Sequence, residues 1–534
     1  MVNSNILSLC VSAGLLAFSK WVYPIAGVFL YPLIMLVLLG KPLYDYQIYA
    51  FYTSPLRKLP HPKAKPHWLY GHFSYNIQRP DGTQVLEWAE ELPNDDLMVT
   101  YGVLNNERLF PISVKAMNEV LQTHSYTFVK PPIIARSFKS ILGNGILFSE
   151  GNLHKQQRRL LMPAFSFANV NSLVPVFLNE SRRYVSVVRK TIAASDTPNT
   201  AIIDVSQSLS SLTLDIIYRA GLGLNFNSLE DPENELALAY KNVFAQTGAV
   251  NKIMFVLQIV IPGFKFLPFK RNVKIWKART IIRKFAIDAI EKKLATYKAS
   301  QEEKGGSNDI ISVMIRESKG EWTVEDMVDQ LTTFLIAGHE TTAAATTLAL
   351  HFLCQHQDIQ DRLRAEIRTQ FPGGLDAIRT YEEVESLKYL NNVAREVLRL
   401  TPPVMGTMRM ASETTQICGH VVPKGTTIII SPAIMNRLHS LWGEDALEFN
   451  PDRWDGRQAT SNLAFLSFLQ GPRSCIGRRF AELEFRSILL AIVSSFKFSL
   501  QEGQQVQFRS SITYRPVGGL PLIVEALPDW GTDN

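Results

Sequence analysis

"FLQGPRSCIG", residues 468–477, frames one cysteine between two glycines and puts an arginine just before it. The chain has four cysteines in 534 residues, so a thiol in so rigid a frame asks for a reason. Glycines let a backbone turn tightly and come close to something flat or bulky, and Pro472 fixes the approach. Directly behind, "RRFAELEFRSILLAIVSSF" from Arg478 reads as a helix. Cys475 therefore stands at a helix entrance, where backbone N–H groups favour a thiolate. That would hold a sulfur anion against a metal. A small buried thiol in a Gly-rich turn is the plainer reading, and the rest of the chain must decide.

Hydrophobic content of 46% with 19% charged residues describes a large core rather than disorder. The balance of 55 basic and 49 acidic residues gives +6, with no basic stripe interleaved with aromatics, so nucleic-acid binding has no support. Cys10, Cys354, Cys418 and Cys475 are far apart and form neither a CxxC nor a Cys/His cluster. That argues against structural zinc and against a secreted disulfide framework. A metal at Cys475 would have one protein ligand, which suits a porphyrin iron with four nitrogens already in place.

Helical periodicity dominates 160–400, and strand-like pieces fall near 97–115, 405–430 and 505–526. The expected fold is mainly α with small β-sheets, in one large domain over 67–534. Before it, "WVYPIAGVFLYPLIMLVLLG" (21–40) has the ~20 apolar residues that cross a bilayer. The apolar run 6–19 leaves a second crossing open. Residues 1–45 are expected to be a retained anchor, and Lys41, Arg57, Lys58, Lys63 and Lys65 place the body in the cytosol. The Pro-rich, basic stretch within 46–66 reads as a stiff hinge.

"FLIAGHETTAAATTLALHFL" (334–353) is an apolar helix carrying Ala337-Gly338 just before Glu340, Thr341 and Thr342. An acid and hydroxyls there need a polar task or partner. Thr341 can bond the Ala337 carbonyl and open a local bulge, and Gly338 would let a ligand near the backbone. In "REVLRLTPPV" (395–404), Glu396 and Arg399 share a helix face, and Arg453 of "FNPDRW" (449–454) can complete a buried cluster. Arg409 is a lone cation in a strand-like stretch.

In this order and spacing the four pieces resemble the cytochrome P-450 family of haem-thiolate monooxygenases. "FLQGPRSCIG" is similar to its FxxGxRxCxG loop, "AGHETT" to its [AG]GxxT segment, "EVLR" to ExxR and "FNPDRW" to the meander with its arginine. The resemblance covers about residues 55–526, and the anchor and hinge look like the microsomal class. It implies haem b, with Cys475 as the axial iron ligand and Phe468 covering the sulfur side. Gly471 and Gly477 would let the loop pass near the ring. Arg473, Arg409 and Arg158 resemble the family's propionate partners, with Ala337 and Gly338 beside the ring. Glu340 and Thr341 resemble the pair that steers protons to dioxygen. Glu396, Arg399 and Arg453 look like a structural cluster. One departure is His154, which stands where the family's C-helix usually has tryptophan; it can still donate to a propionate.

The resemblance further implies electrons from NADPH through a separate NADPH–cytochrome P-450 reductase, with cytochrome b5 as a further candidate donor. It places the protein in the endoplasmic reticulum membrane. The segments resembling substrate contacts, 131–143, 334–342, 402–408 and 514–520, are mainly apolar, and 255–269 could dip into a membrane surface. A lipophilic substrate follows: terpenoid, polyketide-derived, steroid or fatty chain. "HKQQRRLLMPAFS" and "GPRSCIGRRFAELEFR" look fungal, which favours specialised metabolism. Two alternatives stand beside this: a reductase-independent isomerase or dehydratase on the same fold, and a non-catalytic haem- or lipid-binding membrane protein.

Overall fold

The computed structural model describes residue 40 and residues 44–72, 75, 82–92, 95–244, 254, 263–300, 308–456, 461–510 and 512–530. The helices that build the site are α1 (Gly151–Leu161), α2 (Val174–Ala193), α3 (Val205–Leu222), α4 (Val324–Gln355), α5 (Lys388–Leu400) and α6 (Arg478–Ser495). Helix α4 is the axle. A capping box starts it: Asp326 N donates to Thr323 Oγ1 at 3.1 Å, and Thr323 N to Asp326 Oδ2 at 3.0 Å. Its middle is apolar on nearly every face, so it can lie only at the centre, and α3 packs along it. Helix α6 crosses α2, where Phe480 and Phe177 meet edge to face at 4.9 Å.

A five-stranded sheet has the order β1 (Leu97–Tyr101), β2 (Glu107–Pro111), β8 (Thr427–Ile430), β5 (Thr407–Ala411), β3 (Phe128–Val129). Its β2–β8 pair is parallel and the others antiparallel. A second sheet joins β4 (Thr200–Asp204), β12 (Pro521–Ala526) and β9 (Phe496–Ser499). Two hairpins complete the set, β6 (Thr415–Ile417) with β7 (His420–Val422), and β10 (Phe508–Ser510) with β11 (Tyr514–Pro516). The expected mainly helical domain with small sheets is what forms. Strands β3, β4 and β9 fall outside the expected strand regions, each being five residues or fewer.

The helices enclose one core and the five-stranded sheet a second. The segment before the cysteine stitches them together. Leu463, Leu466 and Leu469 turn into the sheet core, while Phe465 and Phe468 pack on the helical one. The cysteine loop thus lies at the seam.

The first part of the stretch expected to be a stiff hinge is packed into the body. Ser54 caps a 3-10 turn over Pro55–Lys58, accepting from Leu56 N at 3.1 Å. Leu56 is 0% and Leu59 5% exposed, both inside the sheet core, so residues 54–59 belong to the folded body. Two apolar side chains gain more by burial there than a mobile linker would. The expected spans at 6–19 and 21–40 lie outside the described residues, apart from Gly40, as does most of 255–269. Among the described residues no single helix is long and apolar enough to cross a membrane.

Candidate active site

The loop over 468–477 is built by its backbone. Cys475 N donates to Phe468 O at 2.9 Å, closing the loop on itself. Gly471 has φ +77°, and a Cβ there would lie 2.1 Å from the Leu121 carbonyl oxygen. The left-handed turn and the Leu121 backbone beside it require this glycine. Gly477 is different: a Cβ would meet only Phe165 Cε1, at 3.8 Å. Its N–H instead bonds the cysteine sulfur. The Phe468 ring lies 5.5 Å from the Arg478 guanidinium carbon.

Cys475 has exposed surface yet is enclosed by protein, so its thiol faces an internal space. Burial pushes that thiol up from its ordinary 9.0, while the Gly477 N–H and the Arg158 and Arg478 charges pull it down. Arg158 of α1 donates to the Ser474 carbonyl at 2.8 Å and the Ser474 hydroxyl at 3.3 Å. The expected propionate partner therefore stands against the cysteine loop.

Helix α4 has a matching anomaly. Ala337 is exposed in the middle of a stretch whose neighbours Phe334, Leu335 and Ile336 are buried, so it too borders a space inside the protein. Thr341 Oγ1 donates to Ala337 O at 2.9 Å, the expected back-bond, and the helix runs through it without interruption. Gly338 does not open the backbone to a ligand. A Cβ there would sit 3.0 Å from Ile217 Cδ1, so the glycine serves the close packing of α3 on α4. Glu340 does have the expected polar partners, and they come from the hairpin: its Oε1 accepts from Thr513 Oγ1 at 3.1 Å and pairs with Arg515. Neither partner stands out in the sequence, because the hairpin is far from α4 along the chain.

Between the seam and the sheet edge the structure gathers cations. Strands β3 and β5 pair with Val129 across from Met410, and one step further puts Lys130 across from Arg409. Like charges set opposite each other on a sheet repel. Arg409 is 4% exposed and, among the described residues, donates only to Thr407 Oγ1 at 3.2 Å and Met408 O at 2.9 Å. Burial lowers it to about 10. Burial, then Arg409, Arg473 and Lys139, hold Lys130 well below its usual range. Arg473 donates to Ser149 O at 2.8 Å and pairs with Glu150. His154 is buried beside them, its Nδ1 3.2 Å from the Tyr126 hydroxyl, and is pushed down to about 4 by burial, then by Lys130, Arg158 and Arg409. It is a neutral imidazole. Neither the Arg409 guanidinium nor the Lys130 ammonium has a carboxylate partner among the described residues, although the Lys130 backbone N–H donates to Glu150 Oε1 at 3.0 Å. Such a cluster is complete only with an anion. Lys130 was not singled out in the sequence, since its place follows from strand register.

The Glu396 cluster forms in full. Arg399 grips Glu396 through Nε at 2.9 Å and Nη2 at 2.8 Å, with both side chains 0% exposed. Arg453 Nε reaches Glu396 Oε1 at 3.3 Å, and Trp454 Nε1 and Asn450 N donate to the same carboxylate at 3.0 and 3.1 Å. Arg399 also donates to the carbonyls of Asn436, Ala446 and Glu448, and Arg453 to those of Trp442 and Asp445. Ser467, on the approach to the cysteine, bonds the Leu398 carbonyl at 2.6 Å.

An enclosed thiol, an internal space beside Ala337 and buried cations without anions suit a flat, dianionic, iron-holding ring. The description Cytochrome P450 belongs to the family whose pattern matches residues 60–516. Over 513 residues the chain is 39% identical to the "Cytochrome P450 monooxygenase sphH" of Aspergillus fumigatus, covering 92% of each. It is 36% identical to the "Cytochrome P450 monooxygenase FUM15" of Gibberella moniliformis, covering 90% of each. With "Cytochrome P450 monooxygenase ptmK" of Penicillium ochrochloron the identity is 31%, over 91% of this chain and 96% of that one. The chain belongs to the cytochrome P450 family and is an enzyme of its haem-dependent monooxygenase class.

Proposed function

We propose that this enzyme inserts one oxygen atom of dioxygen into a lipophilic substrate, of terpenoid, polyketide-derived, steroid or fatty-chain type, in fungal specialised metabolism. Electrons come from NADPH through a separate reductase, with cytochrome b5 as a further donor. Residues 1–45 anchor the body at the cytosolic face of the endoplasmic reticulum. The apolar side chains of Leu147, Val404, Met408, Ile512 and Val517 are exposed in or beside segments resembling substrate contacts, which supports an apolar ligand.

Haem bound at this site supplies the redox chemistry that activates dioxygen. Cys475 Sγ is the protein's ligand to it, steadied by the Gly477 N–H and the Arg158 charge. Arg409, Lys130 and Arg473 neutralise the two carboxylates of the ring. Thr341, back-bonded to Ala337 beside the internal space, has a hydroxyl that can leave the Ala337 carbonyl to hold and pass a proton. Glu340, one residue before, is the acid behind it; positioned proton transfer contributes roughly 10²–10⁴-fold. Glu396, Arg399 and Arg453 hold the meander and, through Leu398 and Ser467, the approach to the cysteine.

The observation that carries the reading is Cys475, enclosed by protein and facing an internal space. In the reduced, CO-treated holoprotein, the red-shifted Soret band of a thiolate-bound haem should be present in wild type and absent in Cys475→Ala. A band that persists in the variant removes Cys475 as the ligand. Incubation with a reductase, NADPH and a panel of lipophilic compounds should yield oxygenated product; rearranged products formed without NADPH would favour the isomerase reading.

A further inference from the structure

The carboxylate of Glu340 is fastened to the β10–β11 hairpin. Arg515 pairs with its Oε1, Thr513 donates to the same oxygen at 3.1 Å, and Arg515 Nε and Nη2 lie 3.4 and 3.2 Å from Thr513 Oγ1. The acceptor side of the knot is withdrawn from water, with Thr513 1% and Glu340 7% exposed, while the Arg515 side chain is 24% exposed. A guanidinium–carboxylate pair whose carboxylate is buried is costly to half break, so it behaves as a catch rather than a spring. The same hairpin presents Ile512 as an exposed apolar side chain, and Tyr514 N ties it to Pro403 O at 2.8 Å, beside the exposed Val404. One short element therefore carries an apolar surface suited to a ligand and the group that holds the acid.

We propose that Arg515, with Thr513, is a positioning residue that keeps Glu340 bound to the hairpin until a lipophilic molecule in the pocket displaces Ile512 and loosens the tie. This rests on the reading of Glu340 as the acid serving Thr341. An empty pocket keeps the carboxylate engaged, and a filled one frees it. Proton delivery then waits for substrate.

Hydrogen exchange of the 508–516 segment in the holoenzyme tests the tie without any turnover. Arg515→Gln and Glu340→Gln should each speed exchange there roughly tenfold, as expected for losing a charged hydrogen bond. The double variant should be no faster than either, and Arg515→Lys should restore slow exchange. Clotrimazole, a bulky lipophilic azole, should speed exchange of this segment in wild type and leave Arg515→Gln unchanged. Unaltered exchange in the single variants, additive effects, or no response of wild type to clotrimazole would each overturn the proposal. The reading beneath it is checked separately by the ratio of hydrogen peroxide to product in Glu340→Gln. An unchanged ratio removes the proton-delivery role of Glu340, whereas the exchange data judge the tie itself.

Discussion

Gly471 and Gly477 occupy symmetrical places in the motif but face different surroundings. A methyl at 471 would run into the Leu121 carbonyl at 2.1 Å in a left-handed conformation, which alone costs roughly 1–2 kcal/mol for an L-residue. Gly471→Ala should fail to accumulate as haem-loaded protein, whereas Gly477→Ala should load normally; equal haem-to-protein ratios in the two would refute this. A second residue invites a pH experiment. Glu484 of α6 is buried with no cation against it among the described residues, accepts from Thr342 Oγ1 at 2.8 Å, and burial holds its carboxyl well above the ordinary 4.5. The folded protein keeps it protonated while the unfolded chain ionises it. Its stabilising contribution is therefore complete below the unfolded pKa and is lost as pH rises towards the folded one. Glu484→Gln should gain on wild type by about 1.4 kcal/mol for each pH unit above the ordinary carboxyl range, until the folded group itself ionises. A stability difference that does not grow with pH, by denaturant titration, would show Glu484 ionised in the fold. Cys475 was legible because a framed cysteine is rare. Lys130 and Arg515 were not, because an ordinary lysine and an ordinary arginine acquire their neighbours only from strand register and hairpin placement.

At the scale of elements, α5 is fixed at its C-terminal end by the Glu396 cluster: Arg399 donates to three carbonyls between 436 and 448, and Glu396 accepts from Arg453 and Trp454 of the meander. Removing the carboxylate strands two buried guanidinium groups, at a cost of about 3–5 kcal/mol. Glu396→Ala should be recovered as apoprotein or aggregate, and a haem content equal to wild type with lost turnover would contradict a structural role. The pairing of Glu396 with Arg399 could be read from a spacing of three on a helix. The contributions of Trp454, Asn450 and Asp445 could not, since they depend on how the meander folds back. The long helices were equally legible, each repeating its apolar residues at helical spacing. Strand β4 was not: five residues carry too little alternation to stand out between two helices.

For the whole molecule, the seam between two cores decides where the chain can be cut. Residues 54–59 plug the sheet core with Leu56 and Leu59, and losing a buried leucine typically costs about 2–5 kcal/mol. A chain starting at residue 41 should still fold and take up haem, while one starting at 67 should be insoluble or haem-free. Equal haem loading of the two would show the Pro-rich stretch to be a dispensable hinge after all. The mainly helical domain was visible from periodicity, but its division into two cores was not, because leucine and phenylalanine alternate in 463–469 without announcing which core each enters. The second sheet adds a matter of timing. Strand β12 pairs Leu522 with Ile203 and Val524 with Ala201, so the partner strand for β4 is made more than three hundred residues later. During synthesis the N-terminal half must wait with that edge open, the situation in which nascent chains pair wrongly or recruit chaperones. Because β4 gains its partner only once residues 521–526 have left the ribosome, production of active enzyme in a foreign host should be limited by chaperone capacity as much as by haem supply.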